Sequence, residues 1–569
     1  MSEKSSGRWT NIRRPGLVTV LVIAGIWVMV AFIINPRGDF PLADDWAFAA
    51  TVKSLLGGGG LKLTASIIPN IIAQVLWGAL FCLPFGFSFT ALRISTLTLG
   101  VIGVLSLYGL LREADADREA ALFGALLLAF NPFYLSLSYT FMSDVPFTAV
   151  SLVSLYFLIR GMRRNSKFEV AAGLLLACVA LLIRQTGLAI FMAFGLAYLV
   201  KTGLRLRTVF LASIPVALGG FVQVLWDQWM EYRHISPRSH SLQSALVLSP
   251  RSYISWHAAE PFATGLIVLS AYLGLFLFPL LLFVGRRRWE ELCRSRLPIL
   301  ATLLFAVFAC YKLSSRRMPM LQNVFYDFGL GPATLPGAPV LRLPSLPAAG
   351  KLFWFVVTYL GIAGAVALVH ATLIAIGKTL NLLHPLTGKR QLLVITLASG
   401  LIYVVPVSIL CLMGKAFDRY VLLLVPLGIA VIFVLVSDAG WGKVDSRTMP
   451  LAVASLVLYG VFSIAGTHDY LSWNRTRWQA LNNLMTEQRL SVQDIDGGYE
   501  FNGWYLHEQK DRENAGPEAY WWTTGADFRV SLGPVPGYSE LRRYQFRRWL
   551  PPAEGNILVL RRTTRGILR

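Results

Sequence analysis

Stretches of roughly twenty apolar residues recur along most of this chain, the length a helix needs to cross about 30 Å of hydrocarbon. Inside lipid a backbone must satisfy its own polar groups, so such a chain is restricted to a bundle of spanning helices. Composition agrees: 55% of residues are hydrophobic and only 15% charged, with a mean hydropathy of +0.57. An ordinary soluble protein is excluded. Expected spans fall at 17–35, 89–111, 120–138, 146–160, 169–188, 188–201, 207–226, 263–284, 297–312, 350–376, 391–412, 420–437 and 450–466, about thirteen crossings.

The first stretch, Leu17 to Ile34, follows Arg13-Arg14 but meets Phe32-Ile-Ile-Asn35 where a signal peptide has small residues, so an uncleaved anchor is expected. A further apolar stretch, 66–83, carries Pro69, Asn70 and Gln74, which suits an interfacial helix or one packed in protein. Leaving it out of the count puts Arg160/Arg163/Arg164/Lys167, Lys201/Arg205/Arg207, Arg286 to Arg288 and Lys378/Lys389/Arg390 on the side of Arg8, Arg13 and Arg14. The positive-inside rule makes that side cytoplasmic. The N-terminus is then cytoplasmic, and the segment after 466 is extracytoplasmic.

The net charge of +21 marks such loops and headgroup contacts rather than a nucleic-acid partner. Five cysteines show no metal-ligand spacing or disulfide framework, and His234, His240 and His257 are not spaced as a metal site. A divalent metal is not shown by the sequence, and no cofactor is called for. The last hundred residues are richer in charge and aromatics. Trp473 to Leu484 reads as an amphipathic helix, and Phe528 to Leu532 and Asn556 to Leu560 as short strands. The expected architecture is a polytopic α-helical membrane protein with outer interfacial helices: a transmembrane domain over 1–466, whose first outer loop is 36–88, and a small α+β domain over 467–569.

With this topology Asp44, Asp45, Asp144, Arg184 and Asp418-Arg-Tyr420 share the outer face, across nearly four hundred positions. Ionisable groups at such depth are functional candidates by default. Each also has a plain structural reading. Asp44 or Asp45 suits the cap of a helix that Gly57 to Gly60 ends, and Ser143-Asp-Val-Pro146 is a good helix start. Arg184 and Arg419 suit either salt bridges or the bidentate recognition of phosphate. Arg93 is the weaker member of that set. Gly497-Gly-Tyr-Glu-Phe-Asn-Gly-Trp504 reads as a tight turn with core aromatics or as a sugar-stacking surface.

The order of these motifs resembles the C-type glycosyltransferase superfamily, in its protein mannosyltransferase and lipid A aminoarabinose transferase-like branch. The resemblance covers residues 38–200 and returns at 415–425. It rests on the acidic pair before an aromatic, the short interfacial helix, Arg93, Asp144-x-Pro and Arg419-Tyr420. It implies an inverting transfer from a polyprenyl-phosphate-linked sugar to a lipid, polysaccharide or protein acceptor. Asp44 would be the general base, with Asp45 and Asp144 beside it, and Arg184, Arg419, Tyr420 and Arg93 would meet the donor phosphate. It also implies a bacterial inner membrane, with a periplasmic site in contact with membrane lipids. The sequence departs from the pattern at Asp45, where many relatives carry Glu, and at Arg184-Gln185. The alternatives are a transporter or flippase of envelope glycolipids, against which the one-sided clustering of charge and the lack of repeated halves argue, and a non-enzymatic envelope protein.

Overall fold

The computed structural model describes residues 16–64, 66–237, 240, 256–285, 289–290, 296–321, 323–326, 329–335, 350–380, 388–438, 447–512 and 526–563. Much of the two long outer loops (241–255 and 336–349), Arg286 to Arg288, and Trp521 with Trp522 lie outside them.

Uniform apolarity makes the first helix, Leu17–Ile34, and Asn35 ends it in a left-handed conformation (φ 61°). Ile23, Trp27, Val30 and Ile34 face protein, while Leu17, Leu21, Met29 and Phe32 are exposed on the other side. The Trp27 indole N–H donates to the Leu97 carbonyl (3.1 Å), tying this helix to the next span, Phe89–Glu113. Burial sorts the remaining spans by depth. Asp418–Val436 has 89% of its apolar window buried and lies at the bundle centre, whereas Leu206–Tyr232 has 17% and turns Phe210, Phe221 and Leu225 outward. An apolar face of that size is expected against lipid. The chain is an integral membrane protein.

Among the described residues, ten helices are long and apolar enough to cross, or eleven if one bent pair counts as a single span. That is fewer than the thirteen expected; the stretches 120–138, 169–188 and 297–312 make up the difference, the first two through breaks in the backbone. The stretch 120–138 is two helices, Arg118–Ala129 and Pro132–Ser138, bent by 60°. Pro132 cannot continue the first helix. Asn131 starts the second instead, accepting from the N–H groups of Phe133 (3.0 Å) and Tyr134 (3.1 Å). The stretch 169–188 stops as a helix at Leu181 after 15 residues, about 22 Å. The chain then passes through an extended Arg184 and a single 3-10 turn, Gln185–Gly187, before the next helix. The stretch 297–312 is the helix Arg296–Leu313, 18 residues or about 27 Å long.

The stretch 66–83 contains only the 11-residue helix Ile72–Cys82, too short to cross. Its polar side chains serve the protein interior: Asn70 Nδ2 donates to the Leu181 carbonyl (2.7 Å) and Gln74 Nε2 to that of Phe141 (2.6 Å).

Residues 450–466 and the expected helix at 473–484 are one continuous helix, Met449–Thr486. Its 38 residues span about 57 Å, so it carries the chain well beyond the hydrocarbon. A four-stranded sheet follows, in the order β3-β4-β6-β5, with β3 Ile495–Asp496, β4 Phe528–Ser531, β5 Tyr538–Trp549 and β6 Pro552–Arg562. β3 and β4 are parallel; the other neighbours are antiparallel. The two expected strands are β4 and part of β6, while β5 was not foreseen.

Residues 497–512 settle onto the first outer loop. Gly498 needs its positive φ (86°), and a Cβ there would lie 2.4 Å from the Thr334 carbonyl oxygen. The helix Tyr499–Arg512 then packs so closely that a Cβ on Gly503 would meet the Trp46 ring at 2.3 Å. Trp504 stacks on Phe87 (centroids 5.7 Å, 12°) and lies under the Lys53 ammonium (4.9 Å). The Gly497–Trp504 motif is therefore a docking element with core aromatics. Beneath it a fully buried ion pair, Arg477 Nη1 to Glu500 Oε2 (2.8 Å), joins this helix to Met449–Thr486. Arg477 also donates to the Gly497 carbonyl from Nε (3.0 Å) and Nη2 (2.6 Å).

Removing one partner of such a pair leaves an uncompensated buried charge. Arg477→Met is expected to destabilise the protein by roughly 3–5 kcal/mol, and Arg477→Met with Glu500→Gln to recover part of the loss. Thermal unfolding in detergent reads both, and an unchanged midpoint for the single variant would contradict this role.

Candidate active site

Four segments far apart in the chain meet at one end of the bundle: the start of helix Asp45–Leu56, the start of helix Asp144–Arg164, the extended turn at Arg184, and the short 3-10 helix Asp418–Val421. The two carboxylates of the acidic pair divide sharply. Asp45 is fully buried, and its oxygens accept from the Leu42 N–H (2.6 Å) and the Phe141 N–H (3.1 Å). It is a clamp between the first outer loop and the Tyr139–Ser143 turn, which removes it from the reacting groups expected from sequence.

Asp44 occupies the N-cap position yet makes no side-chain capping bond. Its side chain is 36% exposed. Oδ2 accepts from Arg419 Nη2 (3.0 Å) and Oδ1 from the Tyr499 hydroxyl (2.8 Å). The backbone just before it is strained: Ala43 sits at φ 53°, a region non-glycine residues seldom adopt. The Ala43 N–H donates to the buried Glu500 Oε1 (3.1 Å), which holds it there. A half-exposed carboxylate gripped at both oxygens, on strained backbone, is a placed group rather than a cap.

Arg419 is the hub. Besides Asp44 it donates from Nη1 to Asn323 Oδ1 (2.8 Å), and its Nε lies 3.8 Å from Asp144 Oδ2. Its guanidinium is 4.8 Å from the Phe417 ring and 5.9 Å from the Tyr420 ring. Asp418 fixes the turn that presents it, accepting from the N–H groups of Val324 (3.0 Å), Phe325 (2.7 Å) and Arg419 (2.7 Å). Those bonds also hold the small hairpin of β1 (Phe325–Tyr326) and β2 (Gly329–Leu330).

Asp144, almost fully buried, faces the second cation: its Oδ1 lies 2.9 Å from Arg184 Nη2. Arg184 Nε donates to the Ser143 hydroxyl (2.9 Å), and its guanidinium is 5.9 Å from the Tyr420 ring. Among the described residues, neither Asp144 oxygen nor Arg419 Nε has an aligned hydrogen bond, although each has an ion-pair contact. Two carboxylates and two guanidiniums thus balance with polar capacity to spare, a common mark of a functional site. A cavity of about 380 Å³ is lined by Glu260, Thr264, Arg316, Leu321, Cys411 and Ala416 among others, and by none of these four charged residues.

Arg93 does not belong to this cluster. Fully buried, it donates to the carbonyls of Pro36 (3.2 Å), Gly38 (2.6 Å) and Phe40. Its Nη1 and Nη2 donors are turned to the backbone of the first loop, so it shapes that loop. Sequence reasoning missed Tyr499, Asn323 and Ser143; the one signal for Tyr499 was the glycine pair before it. No group of three or more His, Cys, Asp or Glu among the described residues is arranged to hold a metal ion.

Burial pushes the Asp45 carboxyl up to about 7, against Arg93 and the two backbone N–H groups, with Glu500 adding to the rise. A carboxyl raised in the fold binds a proton that the unfolded chain releases. Its stabilising contribution is full below its unfolded value near 3.8 and is lost as pH rises through about 7. Asp45→Asn is expected to make the fall in thermal stability between about pH 4 and 7 shallower. A slope equal to that of the wild type would refute this.

Residues 73–226 match the family described as dolichyl-phosphate-mannose-protein mannosyltransferase. No curated protein matches the chain. Among solved structures, ArnT from Cupriavidus metallidurans bound to undecaprenyl phosphate is similar at 13% identity and a TM-score of 0.41, over 95% of this chain and 97% of that one. The oligosaccharyltransferase of Archaeoglobus fulgidus is similar at 14% identity and a TM-score of 0.42, over 91% of this chain and 61% of its own. Arabinosyltransferase EmbB from Mycobacterium smegmatis is similar at 12% identity and a TM-score of 0.34, over 95% and 46%. These likenesses are distant. Over residues 73–226, which carry Arg93, Asp144 and Arg184, the chain resembles the protein mannosyltransferase branch of the C-type glycosyltransferases, as its motifs led us to expect.

Proposed function

We propose that this protein is a membrane glycosyltransferase that moves a sugar from a polyprenyl-phosphate donor to a hydroxyl-bearing acceptor outside the cytoplasm, with inversion. In this reading the membrane is a bacterial inner membrane, the transmembrane unit (1–466) carries the chemistry, and the segment 467–569 stands on the outer side. One observation carries it: the half-exposed Asp44 carboxylate lies 3.0 Å from an arginine that, with Arg184, brackets Asp144.

That arrangement suits a displacement at the anomeric carbon. The acceptor hydroxyl gives its proton to Asp44 as its oxygen forms the new bond. The bond from the anomeric carbon to the donor phosphate oxygen breaks, and its electron pair leaves with the phosphate. That leaving group is already acidic, so it needs charge stabilisation more than a proton. Arg184 and Arg419 supply it, as guanidinium forks matched to phosphate oxygens in a water-poor setting. Asp144 holds the two cations at the right separation before the donor arrives. Tyr420, between both guanidiniums, keeps their planes in place.

Envelope glycans, glycolipids and glycoproteins from a wild-type strain, a deletion, and the deletion complemented with Asp44→Asn should separate by mass spectrometry. One mass increment should be missing from both mutants while the variant still reaches the membrane. Near wild-type product from Asp44→Asn would remove Asp44 from the mechanism. Arg419→Gln is expected to slow transfer by on the order of 100-fold, the usual loss when one charge-stabilising donor is deleted. A change below about threefold would contradict its assignment.

A further inference from the structure

The proposed base is held partly by a segment no motif assigned to the site. Tyr499 begins the Tyr499–Arg512 helix, yet its hydroxyl donates to Asp44 Oδ1 at 2.8 Å. The next residue, Glu500, accepts from the Ala43 N–H through one oxygen and pairs with the buried Arg477 through the other. The Tyr499 N–H donates to the Thr334 carbonyl (3.1 Å), and the Tyr499 ring meets Trp46 edge-on (6.2 Å). Two consecutive residues of the outer segment thus fix both the backbone before Asp44 and the carboxylate itself.

We propose that Tyr499 is a positioning residue, whose hydroxyl locks the Asp44 carboxylate plane opposite Arg419 and leaves its remaining lone pairs to the acceptor. The proposal rests on Asp44 being the base. With Arg419 at Oδ2 and Tyr499 at Oδ1, the carboxylate cannot turn without breaking a bond at each end. The other ionisable groups around it are Asp144, beyond Arg419; Asp45, its neighbour in the chain; and Glu500, which follows Tyr499 and accepts from the Ala43 N–H. Burial, then the Asp44 charge, pushes the Tyr499 phenol well above its ordinary range, so it keeps its proton to donate. The outer segment becomes a wall of the site, consistent with Gly503 lying against Trp46.

The test uses the full-length chain in detergent with 3-fluorotyrosine at position 499. Its fluorine resonance should follow a titration that vanishes in the Asp44→Asn background. In cells, Tyr499→Phe should lower the initial rate of appearance of the mass increment about tenfold at unchanged protein level, by loosening the base's orientation. Its rate should also fall off at a higher external pH than that of the wild type, because the ionised carboxylate has lost a donor. A purely structural role would not move that pH limb. A fluorine titration indifferent to Asp44→Asn, or a Tyr499→Phe rate and pH limb equal to wild type, would overturn the proposal. If Tyr499→Phe fails to accumulate, the fluorine titration decides alone. Product formed at wild-type level by Asp44→Asn would instead sink the base assignment.

Discussion

Arg419 holds the site together. Its guanidinium touches Asp44, from a loop nearly four hundred residues earlier, together with Asp144 and Asn323, while Asp418 pins the turn beneath it. Burying such a charge adds little net stability, because desolvation offsets most of the Coulomb gain. What it contributes is register. Only one docking of the first outer loop, the Asp144–Arg164 helix and the Asp418–Val436 span gives the cation two carboxylates. The arrangement is also charge-balanced, so a phosphate entering it competes with Asp44 and Asp144 for the same donors.

The second constraint acts from outside the membrane. The Met449–Thr486 helix is too long for the bilayer and carries Arg477 outward, where it meets Glu500. Glu500 grips the backbone ahead of Asp44, and Tyr499 grips its side chain. The membrane bundle and the segment after it are thus joined through a few hydrogen bonds at the site.

The spans were legible because hydrocarbon thickness imposes one length and one polarity, and the short helix Ile72–Cys82 was legible from its polar interruptions. Breaks at Asn131-Pro132 and around Arg184 were less so, since apolar runs continue through both while the backbone does not. β5 escaped because its first half, Tyr538 to Arg543, is mostly exposed, and its alternating second half buries Arg548 where a strand usually places an apolar residue. Among the site residues, Asp44, Asp144, Arg184 and Arg419 came together as their shared face implied. Arg93 and Asp45 looked the same in sequence, yet their partners are backbone carbonyls and N–H groups, which only the fold supplies. Tyr499 was hidden for the complementary reason, as an unremarkable tyrosine brought to Asp44 by a glycine-permitted close approach.

The central claim is that two arginines form a phosphate site that Asp44 and Asp144 occupy before the donor arrives. Native mass spectrometry of the full-length chain titrated with undecaprenyl phosphate tests it directly. Asp44→Asn should bind at least as tightly as wild type, because a competing charge is gone, while Arg184→Gln and Arg419→Gln should each weaken binding by roughly tenfold or more. Equal affinity in all four proteins, or loss of binding confined to Asp44→Asn, would contradict the account.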